Sequence, residues 1–186
     1  MFHLETDRLI LKPHTPGNAE KLNQWRNDPG LLNYNADQPL NHPPHTIAET
    51  RRDLRRMMAQ KPVPTAIYYA IHKKTTYELI GYGAITRIDH YNRSCVLNIV
   101  IGEQGEQRQG YAREALEAVI RHCFIELRMN RLGAEIYAHN IPTTHLLGGL
   151  GFQREGAVRQ AVWRDNDYSD VWIYGLLHRE WLEASR

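Results

Sequence analysis

"GEQRQGYAREAL", Gly105 to Leu116, decides the reading of the chain. A polar loop with two glycines and two glutamines turns within a few residues into a good helix. The two smallest side chains, Gly110 and Ala112, stand at the mouth of that helix, and no Ser, Thr, Asp or Asn is there to cap it. Upstream runs "SCVLNIVIG" (94–102), in which Cys95, Leu97, Ile99 and Ile101 fall on one face of a strand and Val96, Asn98 and Val100 on the other. A strand apolar on both faces is expected in the middle of a sheet. Strand, short loop and a helix whose first turn is Gln109 to Ala112 form an anion-site layout. The first N–H groups of a helix have no intrahelical acceptor, and the helix dipole adds partial positive charge there. Small residues at 110 and 112 let a bulky anion come close, and the ligand then serves as the missing cap. A pyrophosphate suits such a site. Taken alone, the loop also fits a glycine needed only for helix–strand packing. No G-x-x-x-x-G-K-[ST] is present, so the loop is not a P-loop, and no G-x-G-x-x-G with a later acidic residue marks a dinucleotide fold.

Outward from this stretch the chain alternates in period. The helix over 109–128 carries a stripe of Ala112, Leu116, Val119, Ile120, Cys123, Phe124 and Leu127 at 3.6 spacing. Before it, "RLILKP" (8–13) reads as a strand, 16–28 as a helix with Ala19, Leu22 and Trp25 on one side, and 31–45 as an irregular stretch rich in Pro and Asn. Residues 46–61 read as a second helix, with Thr46 and Glu49 forming a capping box and four arginines on a solvated face. "TAIYYAIHK" and "ELIGYGAITRID" are strands separated by a polar turn. Beyond the long helix, "LGAEIYAH" is a strand, "PTTHLLGGL" a short helix with Pro142 in its first turn, and 151–163 and 168–177 two final strands. The order β-α-α-β-β-β-α-β-α-β-β predicts an α/β fold with one mixed sheet and helices on both sides.

Bulk properties narrow the class. The 186 residues suit one domain, 1–186, with 42% hydrophobic and 24% charged residues. The formal net charge of +2 and the lack of a basic stripe give no case for nucleic acid. Cys95 and Cys123, both in apolar runs, read as buried thiols, so no disulfide framework is expected. The start, "MFHLETDRLILKPH", reads as neither a signal peptide nor a membrane span, and a soluble cytoplasmic protein is expected.

Gln107, Gly110 and Ala112, as Q-x-x-G-x-A after a hydrophobic strand, resemble the [RQ]-x-x-G-x-[GA] motif of the GCN5-related N-acetyltransferase (GNAT) superfamily. "TDRLILKPH" is similar to the first strand in the branch holding the ribosomal-protein alanine and serine N-terminal acetyltransferases (the Rim-type branch), and "WRNDP" to the end of its first helix. "EIYAHNIPTTHLLGGLGF" resembles the fifth strand, asparagine and fourth helix, and "DYSDVWIYGLLHREW" the last strand. The resemblance covers nearly the whole chain and implies a single domain with a mostly antiparallel sheet and acetyl-CoA as co-substrate, without a metal. It implies that the backbone of Arg108, Gln109, Gly110, Tyr111, Ala112 and Arg113 binds the pyrophosphate, with Gln107 in the same loop. Val100, Ile101 and Gly102 would pair with the pantetheine amides where this strand splays from the next. Asn140 and Thr143 fall at positions near the cofactor; by itself Asn140 reads as a helix N-cap.

The reaction implied is attack of a primary amine on a thioester. The superfamily's frequent acid, a tyrosine seven residues after the asparagine, is replaced here by Leu147, leaving Thr143 or water. Glu135 matches a strand position that carries a catalytic glutamate in some relatives, with Tyr168 and Asp170 as competitors and His139 as a lesser candidate. The acceptor groove is expected between 30–45 and 159–170, with Trp25, Tyr34 and Trp163 as walls and Tyr168 and Asp170 near the amine. The acceptor expected is a protein N-terminal α-amine; an amino sugar, polyamine or antibiotic is the alternative, and a non-catalytic acetyl-CoA-binding module a third reading. The chain is expected as a monomer or homodimer.

Overall fold

The computed structural model describes residues 2–32, 43–59, 63–164 and 166–184. Its eight strands are β1 (Leu4–Glu5), β2 (Leu9–Lys12), β3 (Ile67–Lys73), β4 (Leu79–Asp89), β5 (Ser94–Ile101), β6 (Arg131–Tyr137), β7 (Gln153–Arg164) and β8 (Asp167–Leu177). They form one sheet in the order β1-β2-β3-β4-β5-β6-β8-β7. All neighbouring pairs are antiparallel except β5 with β6. That pair is joined by the long helix, here α4 (Tyr111–Ile125), because parallel neighbours need a crossover. The expected class is therefore observed, and the expected elements follow one another in the expected order with three additions, the strand 94–101 lying at the centre.

Two layers of helix cover the sheet. On one face lie α1 (Ala19–Arg26), the single turn α2 (Pro29–Leu32) and α3 (Ile47–Met58). Ala19, Leu22, Trp25 and Leu54 form a small core there. Alternation along the strands turns Tyr68, Tyr82 and Val96 toward this layer. On the other face α4 buries Ala115, Leu116, Val119, Ile120, Cys123 and Phe124 against Leu9, Leu11, Ile71, Ile85 and Leu132 in the main core. Of the expected stripe, Ala112 is only partly buried and Leu127 lies past the helix end, while Ala115 takes a core position. Both cysteines are buried and free.

The capping box of α3 forms as expected: Thr46 N donates to Glu49 Oε2 at 2.8 Å and Glu49 N to Thr46 Oγ1 at 3.2 Å. Three elements differ from the sequence reading. A two-residue β1 precedes β2, and the stretch read as irregular opens with α2, whose Leu32 N donates to Asp28 O at 2.9 Å. The last strand stops at Leu177 and gives way to α6 (His178–Ala184). Glu180 Oε2 accepts from Leu177 N at 2.9 Å, and Trp181 packs on Phe124 at 5.3 Å between ring centroids. No helix among the described residues is long and apolar enough to cross a membrane.

Candidate active site

The parallel neighbours β5 and β6 stay paired only at Ser94↔Arg131, Cys95↔Leu132 and Val96↔Gly133. Beyond Val96 no pairing joins them, and the fork opens toward their C-terminal ends. On its other side β5 remains zipped to β4 as far as Gly81↔Ile101, and Gly102 N donates to Ile80 O at 2.9 Å. That bond fixes the phase of the ladder. In an antiparallel pair the peptide groups alternate in direction, so Asn98 and Val100 face β4, while Leu97, Ile99 and Ile101 face the fork. Of the expected pantetheine partners, Ile101 presents its peptide groups to the fork, and Val100 and Gly102 present theirs to β4. The peptide groups of Val100 point to Tyr82, and the N–H of Gly102 is held by Ile80. Gly102 instead makes room for a side chain, since a Cβ there would lie 2.2 Å from the Trp25 indole.

At the head of the fork the loop 102–110 leads into α4. Arg108 (φ 60°) and Gly110 (φ 82°) both lie in the left-handed region. This curls the loop into a concavity of the kind that turns successive N–H groups toward an anion. Gly110 is the N-cap of α4, and no side chain caps that end. The first intrahelical bond is Glu114 N to Gly110 O at 3.1 Å, so the N–H groups of Tyr111, Ala112 and Arg113 precede it. The glycine is thus required for its backbone conformation.

The side chains of the loop hold its shape. Gln107 Nε2 donates to Ile101 O at 3.0 Å, folding the loop back onto the strand end, and Gln109 Nε2 donates to Gly105 O at 2.6 Å. Arg113 reaches from α4 to α5 (Ile141–Gly149), where Nη2 donates to Gly149 O at 3.0 Å, while Nε pairs with Glu117 at 2.9 Å. Arg8 was not singled out in the sequence. Its guanidinium lies 4.4 Å over the Tyr111 ring, donates to Gln109 O at 3.1 Å and pairs with Glu114 at 2.6 Å. The only sequence signal was its place in the "TDRLILKPH" stretch.

The far side of the fork is set by β6 and α5. Asn140 is 5% exposed and caps α5, its Oδ1 accepting from Thr143 N at 3.2 Å. Thr143 therefore sits in the first turn beside the fork. Leu147 is buried in the main core. His139 stacks on Tyr137 at 5.4 Å.

A cavity of about 390 Å³ opens between the α1/α3 layer and the sheet, lined among others by Tyr68, Tyr82, Thr86, Val96, Asn98 and Glu135. Among the described residues Glu135 is the one carboxylate in its lining. It lies on β6 two residues past the last β5 pair, at the crotch of the fork. Its Oε1 accepts from Arg87 Nη2 at 2.5 Å. His14 also lines the cavity, and burial pushes its pKa down to about 4.

Of the residues expected as groove walls, neither Trp25 nor Trp163 lines this cavity. Trp25 is 3% exposed and stacks on Tyr82 at 6.1 Å, so it stands behind the cavity lining as core. Trp163 and Tyr168 face each other near the β7–β8 turn, 4.8 Å apart and both exposed, and neither lines the cavity. Asp170 Oδ1 accepts from Gln160 N at 2.9 Å, where β7 bulges and Gln160 has φ 50°. Its carboxylate serves the hairpin. Tyr34 lies outside the described residues.

A mixed sheet is forked between its parallel strands, with an uncapped helix at the head of the fork and a carboxylate at its crotch. That is the build of an acyl-CoA-dependent N-acyltransferase. The chain matches the acetyltransferase (GNAT) domain over residues 8–153 and belongs to that family. It is 30% identical over 182 residues to a Bacillus licheniformis protein named "Uncharacterized N-acetyltransferase p20", covering 97% of this chain and 99% of that one. It is 27% identical over 118 residues to the [ribosomal protein uS5]-alanine N-acetyltransferase of Escherichia coli, covering 63% and 60%. Its fold matches the Vibrio cholerae spermidine N-acetyltransferase, solved with CoA and spermine, at a TM-score of 0.82 and 18% identity, over 95% of this chain and 99% of that one. The protein is an acetyl-CoA-dependent N-acetyltransferase.

Proposed function

We propose that the protein acetylates α-amines, with the N-terminal amine of a protein as its acceptor, and that Glu135 takes the proton. Acetyl-CoA supplies the activated acetyl group. The N–H groups of Tyr111, Ala112 and Arg113 and the curled loop before them bind its pyrophosphate, and the fork-facing peptide groups of Ile99, with the N–H of Ile101, align the pantetheine. The acceptor amine enters from the cavity under α1 and α3, and Glu135 receives its proton at the crotch. Thr143 stands near the leaving sulfur, whose reference thiol pKa of about 8.5 calls for little acid assistance. Such catalysis rests mainly on holding the two reactants together.

The observation that carries this reading is the position of Glu135, the one lining carboxylate among the described residues, where β5 and β6 part. Acceptor class follows from basicity and charge. At pH 7.4 roughly a quarter of a peptide α-amine is neutral, against about 0.1% of a lysine amine. A carboxylate is a weak base for a lysine ammonium and an adequate one for an α-amine. Among the described residues the cavity lining carries two arginines, Arg26 and Arg87, against that single carboxylate, which disfavours a polyamine. Likeness to a ribosomal-protein alanine N-acetyltransferase supports the same choice.

The test is mass spectrometry of products from peptides with a free N-terminus, the same peptides with a blocked N-terminus and an internal lysine, and spermidine. Acetylation of the free α-amine is expected. Dominant lysine or spermidine acetylation would overturn the acceptor assignment.

A further inference from the structure

Arg87 is aimed into the acceptor cavity by a backbone device. Successive side chains of a strand point to opposite faces, yet Thr86 and Arg87 both line this cavity. The pairing of β4 with β5 explains it. Thr86 is opposite Val96, but Asp89 is opposite Ser94, so β4 holds one extra residue between them. Arg87 lies in that bulge with φ 48°, a left-handed conformation unfavourable to a non-glycine residue. The bulge turns its guanidinium onto the cavity face, over β5, to Glu135 on β6. The second lining arginine, Arg26, is already paired with Asp53 at 3.0 Å, outside the cavity lining. Among the described residues Arg87 forms its ion pair with Glu135, the group assigned to receive the acceptor's proton, and its side chain is 63% exposed.

Resting on the amine-acetylation reading above, we propose that Arg87 is a specificity residue that binds a carboxylate carried by the acceptor close to its amine. When the ammonium reaches Glu135, the guanidinium gives up that partner and is left facing the ligand. A carboxylate a few bonds from the amine replaces the lost ion pair, so one internal pair is exchanged for two intermolecular ones and no charge is left uncompensated. The preferred acceptor therefore bears an anion next to its amine. Two sources present that chemistry, the side chain of an N-terminal aspartate and the carboxylate of a free amino acid.

The test compares acceptors that differ only in that carboxylate: aspartyl-alaninamide against asparaginyl-alaninamide, and alanine against alaninamide, each corrected for its neutral-amine fraction. For the wild type, kcat/KM is expected to favour the carboxylate in one pair by about tenfold or more, and the pair that responds names the source. Arg87→Asn keeps the bulge, because asparagine tolerates the left-handed region; it is expected to bring the ratio near one through KM of the carboxylated acceptor. Arg87→Lys should retain part of the preference. A merely structural role would lower both members of a pair together. Turnover with both ratios near one in the wild type, or a preference unchanged in a folded Arg87→Asn protein, overturns this inference and leaves the amine-acetylation reading standing. Failure to acetylate any α-amine overturns both.

Discussion

Arg87 on β4 donates to Glu135 on β6 at 2.5 Å across the intervening strand β5, just where β5 and β6 cease to pair. The ion pair thus spans the crotch of the fork. It places a carboxylate, proposed above as the proton acceptor, and a cation on the cavity side of the sheet, opposite the α4 core.

Replacing Glu135 by Gln removes the proton acceptor with little change in shape. The kcat for an α-amine acceptor is expected to fall on the order of 10²-fold, and more at pH 6 than at pH 9, because the amine arrives more protonated at low pH. His139→Ala should do little, since that ring stacks on Tyr137 away from the cavity lining. Superimposable pH–rate profiles for wild type and Glu135→Gln would remove Glu135 from the chemistry.

Two buried histidines set an acid limit on stability. His14 and His72 are each 6% exposed, and burial depresses both pKa values to about 4. Their values lie below the unfolded reference of about 6.5, so the unfolded chain takes up these protons first. Stability is complete above pH 6.5 and is lost as pH falls from there to about 4, by up to about 3 kcal/mol for each histidine. Urea unfolding midpoints at pH 7.5, 6 and 5 should fall steadily, and His72→Gln should flatten the decline. A midpoint constant over that range would contradict the burial argument.

The two cysteines should be inert in the native protein. Cys123 is fully buried, and contact with Cys95 together with burial raises its thiol pKa, which suppresses the reactive thiolate. Neither thiol should react with a disulfide reagent at pH 8 within the time that denatured protein reacts completely. Rapid native labelling of either would show that α4 opens locally.

What could be read in the sequence was local. Thr46 with Glu49 marks the start of α3 because a capping box is complete within four residues, and the α4 stripe and Gln107-Gly110-Ala112 loop lie within one helix and its approach. The α6 segment escaped because "HREWLEA" directly continues an apolar strand, and Trp181 on Phe124 is a contact between distant parts of the chain. The cavity under α1 and α3 escaped for the same reason. Arg87 reaches it through a bulge that depends on the β4–β5 register, Trp25 is hidden behind it because Gly102 admits the indole, and Asp170 is occupied by the backbone of Gln160. None of these pairings has a signature in nearby residues.

The central claim is that the uncapped start of α4 is the site of the CoA pyrophosphate, and calorimetric titration of CoA into wild-type and Ala112→Asp protein tests it most directly. A carboxylate in the first turn interacts favourably with the helix dipole, by about 0.3–1 kcal/mol, so the variant should melt at or above the wild-type temperature. The same charge repels a pyrophosphate, and the affinity for CoA should fall on the order of 30-fold, about 2 kcal/mol. Wild-type affinity for CoA in the folded Ala112→Asp protein would contradict the assignment.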